Sequence, residues 1–311
     1  NTNKMIILLG STGYIGQEFK KQLEEMGEEV YCLSRADYDY YDLHTLREVI
    51  WRREADFLIN CAGFTGKPNV DACEDQQDET RRANVSLVRV ISQACKMNNI
   101  PWGHVSSGCI YSGTNGANGF TEDDYPNFTF DSPPCSFYSG TKAEAEDFIK
   151  LESKDCYVWR LRIPFEEVEG PRNYLTKLLN YPMLLDANNS ISHKSDFVKY
   201  CLALWQKKAD FGVYNVVNTG SITTKEVTEM MNKILGINKK FLFFESEKDM
   251  YALGAARTPR SNCVLDNIKL RKALSPMKVR TTKAALKQTL EQYKALEQDR
   301  DDNGILKSFW D

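Results

Sequence analysis

Short apolar runs alternate along this chain with longer stretches whose apolar residues recur every three or four positions. The first run is Met5-Ile-Ile-Leu-Leu9, ending in a glycine turn, and residues 14–26 follow with helical periodicity. The pattern repeats as strand 29–33, helix 43–53, strand 57–60, helix 80–97, strand 100–106, helix 139–151 and strand 156–162. Continuous apolar runs suit strands covered on both faces, and the helices between them are long enough to cross over to parallel neighbours. The expected class is therefore α/β with a parallel sheet.

After Pro164 proline and asparagine interrupt the chain more often. A helix at 196–207 and a strand at 212–217 resume the sheet pattern, and helices are expected at 223–235 and 281–298. This predicts one unit of residues 1–163 with about 192–219. A second, smaller and discontinuous unit takes about 164–191 and 220–311. Phe309-Trp310 form an apolar tip that packs on its own chain or on a neighbour.

Composition narrows the class. In 311 residues, 42% hydrophobic and 27% charged is enough for a buried core and excludes a disordered chain. No stretch approaches the roughly 18 uncharged apolar residues of a membrane span. The residues ahead of the first strand are too few for a secretion signal, so a cytoplasmic protein is expected. Net charge is -3 with no basic block, which argues against nucleic acid as a partner. Nine cysteines, odd in number and without a CxxC pair, read as reduced thiols. His44, His104 and His193 are not in metal-ligand spacing, so no metal is expected.

Gly10-Ser-Thr-Gly13-Tyr-Ile-Gly16 joins the first strand to the first helix. In that context Gly10 permits a tight turn, Gly13 lets backbone approach a pyrophosphate, and Gly16 lets the helix pack closely. The helix N-terminus offers N–H groups and a positive dipole end to phosphates. An NAD site would place an acid near the end of the second strand. Here Ser34 and Arg35 follow that strand, and a hydroxyl with a guanidinium suits a 2′-phosphate, so NADPH is favoured. Asp37, Asp39 and Asp42 lie close behind and leave NADH open. The cofactor set is Gly10, Thr12, Gly13, Tyr14, Ile15 and Gly16, then Ser34, Arg35, Asp42 and Leu43. It continues with Cys61, Ala62 and Gly63 after the third strand, Tyr138, Lys142, and Ile163 after the fifth.

Tyr138 and Lys142 are four residues apart at the start of a helix, downstream of Ser106-Ser107 at a strand end. At that spacing both side chains share one face. An ammonium beside a phenol favours the phenolate, and a tyrosine so placed can pass a proton to a carbonyl oxygen while hydride reaches the carbon. Ser107 would hydrogen-bond the same oxygen. Glycine loop, strand-end serine and YxxxK, in this order, resemble the extended short-chain dehydrogenase/reductase superfamily and imply its Rossmann-type, doubly wound sheet.

The resemblance extends further. Residues 63–74 (GFTGKPNVDACE) look like the TGxPNVDxCE stretch of bifunctional UDP-4-keto-6-deoxyglucose 3,5-epimerase/4-reductases, the plant and large-DNA-virus enzymes of UDP-L-rhamnose synthesis. Ser107-Gly-Cys-Ile-Tyr111, Pro126-Asn-Phe-Thr129, Ser136-Phe-Tyr138, Pro171-Arg-Asn-Tyr-Leu-Thr-Lys177 and Pro259-Arg-Ser-Asn262 are similar to that family too. The dTDP-4-dehydrorhamnose reductases and GDP-fucose synthases resemble it more distantly. The resemblance implies a catalytic set of Ser107, Cys109, Tyr138, Lys142 and Lys177. Cys109 matches the epimerising cysteine of GDP-fucose synthase, and Lys177 stands where that enzyme has histidine. A thiolate is a competent base once cations such as Lys177 or Lys142 favour it. Lys177 would return a proton from the opposite face. Substrate contacts are expected at Thr65, Asn69, Ser107, Cys109, Asn173, Lys177 and Arg260, the last pairing a diphosphate. Asp71 and Glu74 are expected to orient loops, and Asn84 to hold active-site backbone. The implied activity is conversion of a nucleoside-diphospho 4-keto-6-deoxyglucose, UDP before dTDP, to the L-rhamnose nucleotide by a homodimer. A reductase without epimerase activity, another 6-deoxyhexose synthase, and a dinucleotide-binding regulatory subunit are the alternatives.

Overall fold

The computed structural model describes residues 3–302 of the chain; Phe309 and Trp310 lie outside the described residues. Six strands form one sheet: β1 (Met5–Leu9), β2 (Glu29–Leu33), β3 (Phe57–Asn60), β4 (Trp102–Ser107), β5 (Cys156–Leu161) and β6 (Gly212–Asn215). Their order is β2-β1-β3-β4-β5-β6, and every neighbouring pair is parallel. The chain therefore leaves β1 in one direction for β2 and returns across it for β3. That reversal opens a crevice at the carboxyl ends of β1 and β3, where doubly wound sheets bind ligands.

Alternation within each strand builds the two faces. Ile6 and Leu8 bury on one side with Phe57, Ile59, Tyr157 and Trp159, against Phe19 and Leu23 of α1 (Tyr14–Glu25). Ile7 and Leu9 bury on the other, against Leu46, Val49 and Ile50 of α2 (Leu43–Arg52) and Leu87, Val88 and Ile91 of α3 (Leu87–Met97). Ala145 and Ile149 of α4 (Phe137–Glu152) complete that side. With both faces covered, the central strands β1 and β3 have almost no solvent side, which is why they read as nearly unbroken apolar runs. A separate core joins Leu175 and Leu178 of α5 (Tyr174–Asn180) to Val227 and Met231 of α7 (Thr224–Leu235). Leu286 and Leu290 of α8 (Thr282–Asp302) close it. Between them α6 (Lys194–Gln206) packs on α1 and the main sheet. Among the described residues no helix is long and apolar enough to cross a membrane.

Two expectations change in detail. The helix expected over 80–97 is interrupted by a π-helical turn at Arg82–Ser86 before α3 begins. The helix expected from 139 starts earlier, at Phe137, because Ser136 caps it by accepting from the Ser139 N–H at 3.0 Å.

A buried ionic network fixes α4 to the sheet. The Arg160 guanidinium on β5 donates to Glu146 of α4 at 2.8 and 3.1 Å, and Ser106 of β4 donates to the same carboxylate at 2.6 Å. Arg160 also donates to the Tyr111 hydroxyl and to Asn215 of β6, both at 3.2 Å. Arg160 is 3% and Glu146 7% exposed, so each charge depends on the other for compensation. Arg160→Leu should therefore cost about 3–5 kcal/mol in urea unfolding by stranding Glu146. The Arg160→Leu/Glu146→Leu double variant should lose clearly less than the two single variants added together.

Candidate active site

The glycine loop lies in the crevice between β1 and β3. Gly10 has φ +75°, and a Cβ there would sit 2.5 Å from the Ala62 amide nitrogen. A Cβ on Gly16 would lie 1.9 Å from the Gly10 carbonyl oxygen. Only glycine lets loop, helix and the β3 end approach so closely. Gly13 is the N-cap of α1 and supplies no side-chain cap, so the helix presents its first N–H groups and positive end to the crevice. Thr12 is exposed, its carbonyl accepting from Gln17 at 2.8 Å, while Ile15 packs into the core. Tyr14, the first residue of α1, is half-buried. Burial, then Glu166, pushes its phenol up, and the Lys194 ammonium lies 4.5 Å from its ring.

Beyond β2 two of the three acids, Asp39 and Asp42, are engaged locally. Asp39 accepts from the Tyr41 N–H at 3.1 Å, and Asp42 caps α2 by accepting from the Thr45 N–H at 2.9 Å. The Thr45 hydrogen bonds hold the Asp42 carboxyl below the usual range. Ser34 Oγ accepts from the Ala36 N–H at 3.1 Å, Leu43 packs on the core, and Arg35 is exposed.

After β3, Asn60 Oδ1 accepts from the Ala62 N–H at 3.0 Å, and burial pushes the Cys61 thiol up against the opposing charge of Lys142. Asn84, on the π-turn and 1% exposed, grips the next residues. Its Oδ1 accepts from the Phe64 N–H at 2.8 Å, and its Nδ2 donates to the Phe64 carbonyl at 3.0 Å and to Thr141 Oγ1 at 3.2 Å. A Cβ on Gly63 would be 3.2 Å from Asn84 Oδ1, so the clamp needs the glycine beside it.

The strand-end serine and the helix residues converge in front of β4. Ser107 Oγ accepts from the Cys109 N–H at 3.2 Å and is hydrogen-bonded to the Tyr138 phenol. Tyr138 packs against the cluster that holds Cys109, itself buried. Glu74 accepts from the Phe137 N–H at 2.9 Å and so fixes the first turn of α4. Lys142 is 5% exposed and donates to the Val105 carbonyl at 3.3 Å. Burial holds its ammonium below the usual lysine range, opposed by Cys109, Glu146 and Cys61.

Lys142 is expected from sequence to draw the Tyr138 phenol down. In the structure burial pushes that phenol well up, with the sulfurs of Cys109 and Cys73 acting the same way, and the groups that oppose it are Ser107 and the Arg172 guanidinium. Arg172 is the residue the sequence reading missed. Its Nη1 donates to Thr65 Oγ1 at 2.7 Å, next to the segment clamped by Asn84. Its signal was present in the 171–177 block but indistinguishable there from a loop arginine.

Lys177, at the fourth position of α5, feels the same cation. Burial, then Arg172, then Arg260 lower its ammonium from the usual range. Arg260 is paired bidentately with Asp71 at 2.8 and 2.9 Å, and its Nη2 lies 3.5 Å from Asn69 Oδ1. Asn69 accepts from the Asp71 N–H at 2.9 Å, and Asp71 also accepts from the Arg257 and Thr258 N–H groups. Asn173 has a different job from the expected substrate contact. Fully buried, its Oδ1 accepts from the Leu175 and Glu166 N–H groups and its Nδ2 donates to the Glu166 and Val168 carbonyls. All four of its hydrogen-bonding positions are occupied, which leaves the side chain nothing to offer a ligand. Ile163, just past β5, has φ +39°, a strained conformation for a β-branched residue of the kind that concentrates at ligand sites.

The structure thus brings together Ser107, Cys109, Tyr138 and Lys142 with Arg172, and Lys177 is linked to them through Arg172. It can orient a carbonyl, donate a proton to its oxygen, and move protons at neighbouring carbons.

Comparison with known proteins identifies the family. A family model described as "RmlD substrate binding domain" matches residues 4–295. A bifunctional dTDP-4-dehydrorhamnose 3,5-epimerase/dTDP-4-dehydrorhamnose reductase of Arabidopsis thaliana is 30% identical over 272 residues, covering 85% of this chain and 86% of that protein. A trifunctional UDP-glucose 4,6-dehydratase/UDP-4-keto-6-deoxy-D-glucose 3,5-epimerase/UDP-4-keto-L-rhamnose-reductase of the same plant is 30% identical over 273 residues. That match covers 86% of this chain, which spans only 39% of the longer protein. Among solved structures, the L780 UDP-rhamnose synthase of Acanthamoeba polyphaga mimivirus superposes with a TM-score of 0.83 at 24% identity, covering 94% of this chain and all of that one.

The Arg172 charge makes a measurable claim on Lys177. A neighbouring cation disfavours the ammonium, so removing it should move the Lys177 titration to higher pH. NMR titration of Arg172→Gln with isotopically labelled lysine checks this; a titration unmoved or lowered would contradict the arrangement.

Proposed function

This chain belongs to the RmlD substrate binding domain family, and we propose that it is an NADPH-dependent 4-keto-reductase of rhamnose synthesis that also epimerises its substrate at C3 and C5. The substrate in this reading is a nucleoside-diphospho 4-keto-6-deoxy-D-glucose, UDP before dTDP, and the product is the L-rhamnose nucleotide. The observation that carries it is the neighbourhood of the Tyr138 phenol: Ser107 as hydrogen-bond partner, with the Cys109 sulfur and the Arg172 guanidinium close by.

The glycine geometry at Gly10 and Gly16, the uncapped start of α1 and the strained Ile163 fit a dinucleotide in the crevice. Gly10 to Gly16 would hold the pyrophosphate, Ser34 and Arg35 the 2′-phosphate, and Lys142 the nicotinamide side. When bound, NADPH supplies the hydride that reduces C4.

The chain's own residues do the rest. The C4 ketone acidifies the hydrogens on C3 and C5. The Cys109 thiolate takes one of these protons and becomes a thiol, and the C–H electron pair moves through the new double bond onto the C4 oxygen. Tyr138 and Ser107 donate hydrogen bonds to that oxygen. The Lys177 ammonium returns a proton to the opposite face and is left as the amine, so the centre inverts and no charge is gained or lost. Solvent exchange resets the thiol and the amine. After both centres have inverted, Tyr138 gives its proton to the same oxygen as C4 is reduced. A phenol pushed up by burial is protonated at neutral pH, as this step requires. An ammonium made more acidic by burial, Arg172 and Arg260 suits the proton-returning role.

In this reading Arg260, held by Asp71 and beside Asn69, would meet the diphosphate, and Thr65 would lie near the sugar. The same reading divides the chain into a cofactor unit (1–163 with about 192–219) and a substrate unit (about 164–191 and 220–311), in a cytoplasmic homodimer.

Incubation with NADPH and UDP-4-keto-6-deoxyglucose should give UDP-L-rhamnose by NMR. Reduction without inversion would reduce the reading to a simple reductase, and failure to oxidise NADPH with any 4-keto sugar would overturn it. For Cys109→Ala, deuterium incorporation from solvent at C3 and C5 should fall by about a hundredfold or more. Reduction of an already epimerised ketose should persist in that variant; unchanged exchange would remove Cys109 from the mechanism.

A further inference from the structure

Two guanidinium groups meet on one aromatic ring beyond the end of β2. Arg35, in the loop after that strand, places its guanidinium carbon 5.8 Å from the centroid of the Tyr41 ring. Arg82, the first residue of the π-turn, places its own 4.5 Å from the same centroid. The face of a tyrosine attracts a cation by about 0.5–1 kcal/mol at an exposed site, which does not explain drawing two like charges to it. Elsewhere on this surface arginines take carboxylates: Arg52 with Glu48, Arg81 and Arg89 with Glu144, and Arg257 with Asp75. Among the described residues no carboxylate pairs with the guanidinium of Arg35 or Arg82. Of the acids in the same loop, Asp39 accepts from the Tyr41 N–H and Asp42 from the Thr45 N–H, while the exposed Asp37 makes no ion pair with either arginine.

Two unpaired guanidiniums converging from different elements make a site for a group with more than one negative charge and several oxygens. The loop that carries Arg35 and Ser34 follows the strand paired with β1, whose own end leads into the glycine loop. A dinucleotide with its pyrophosphate at α1 brings its adenosine ribose to this side of the sheet. The π-turn supplies the second arm. Its extra residue interrupts the helical register between Arg82, which faces Tyr41, and Asn84, which reaches the buried Phe64 backbone.

We infer that Arg82 acts with Arg35 as a two-armed clamp on the 2′-phosphate of the adenosine ribose, so that discrimination between NADPH and NADH depends on the π-turn as well as on the β2 loop. This rests on the dinucleotide reading of the crevice given above. Tyr41 positions the two arms and does not itself touch the phosphate.

Binding, without turnover, tests the clamp. The full chain is titrated calorimetrically with 2′,5′-ADP and with 5′-AMP, which differ only in the phosphate concerned. The unsubstituted protein should prefer 2′,5′-ADP. Arg82→Gln should weaken 2′,5′-ADP by about tenfold or more, the effect of one charge-assisted hydrogen bond, and leave 5′-AMP unchanged. Arg35→Gln should act in the same direction, and Arg82→Lys should restore part of the loss. If Arg82→Gln weakens both nucleotides equally, Arg82 is merely structural and the clamp is overturned. If it weakens neither while Arg35→Gln abolishes the preference, the clamp is overturned and the NADPH reading survives on Arg35 alone. Equal binding of the two nucleotides by the unsubstituted protein overturns both.

Discussion

One side-chain amide sets the spacing on which the rest of the site depends. Asn84 holds both polar groups of Phe64 and also reaches Thr141, whose hydroxyl donates to the Tyr138 carbonyl at 2.8 Å. The loop after β3 and the catalytic helix α4 are thereby fixed to a common point. Thr65, the next residue, receives the Arg172 guanidinium, which extends the same chain of contacts toward α5. A buried amide offers two donors and one acceptor oxygen, and here each has a partner. Leaving any of them unmet would cost roughly 1–3 kcal/mol, so the arrangement has little freedom to drift. The π-turn belongs to this constraint, because an extra residue in a helix redirects one side chain without moving the helix as a whole.

Burial then sets the protonation states without special chemistry. Removing water disfavours whichever form of a group is charged. The phenol of Tyr138 is pushed up and the ammonium groups of Lys142 and Lys177 are held down. These shifts make the phenol a retained proton donor and the Lys177 ammonium a readier one. The Arg172 guanidinium acts on two of these groups, opposing the rise of the Tyr138 phenol and adding to the lowering of the Lys177 ammonium.

The sheet was legible from sequence because covering both faces of a strand favours apolar runs, and five short, mostly apolar segments alternate with helical patterns before Pro164. The glycine loop was legible because Gly10 and Gly16 answer to contacts closer than any Cβ allows. Arg172 and the π-turn were not. An arginine in a polar loop carries no mark of the group it will face, and one extra residue in a helix alters the spacing of apolar positions too little to stand out in a sequence. Asn173 shows the converse error. It lies in a block resembling substrate-binding segments, yet an asparagine ahead of a helix is also the ordinary N-cap, and all of its polar atoms are taken up by the turn it closes. The expectation that Lys142 draws down the phenol failed for a reason of direction: four residues apart on a helix fixes the shared face but not where the ammonium points, and here it points to the Val105 carbonyl.

The proposed pairing of epimerisation with reduction follows from where charge accumulates. Removing a proton beside a ketone and delivering hydride to it are different reactions, but both place negative charge on the same oxygen. Donors aimed at that oxygen therefore stabilise both transition states without rearrangement. Ser107 and Tyr138 are such donors, joined by a hydrogen bond and set at the end of β4 and the first turn of α4. A reductase so built needs only a base and an acid on opposite faces of the sugar to gain the second activity. Cys109, two residues past Ser107, and Lys177, brought in on α5, are the two groups this chain offers there. Their separation in sequence is itself significant. Inversion requires a base and an acid on opposite faces of the ring, and groups carried on separate elements are free to approach it from two sides.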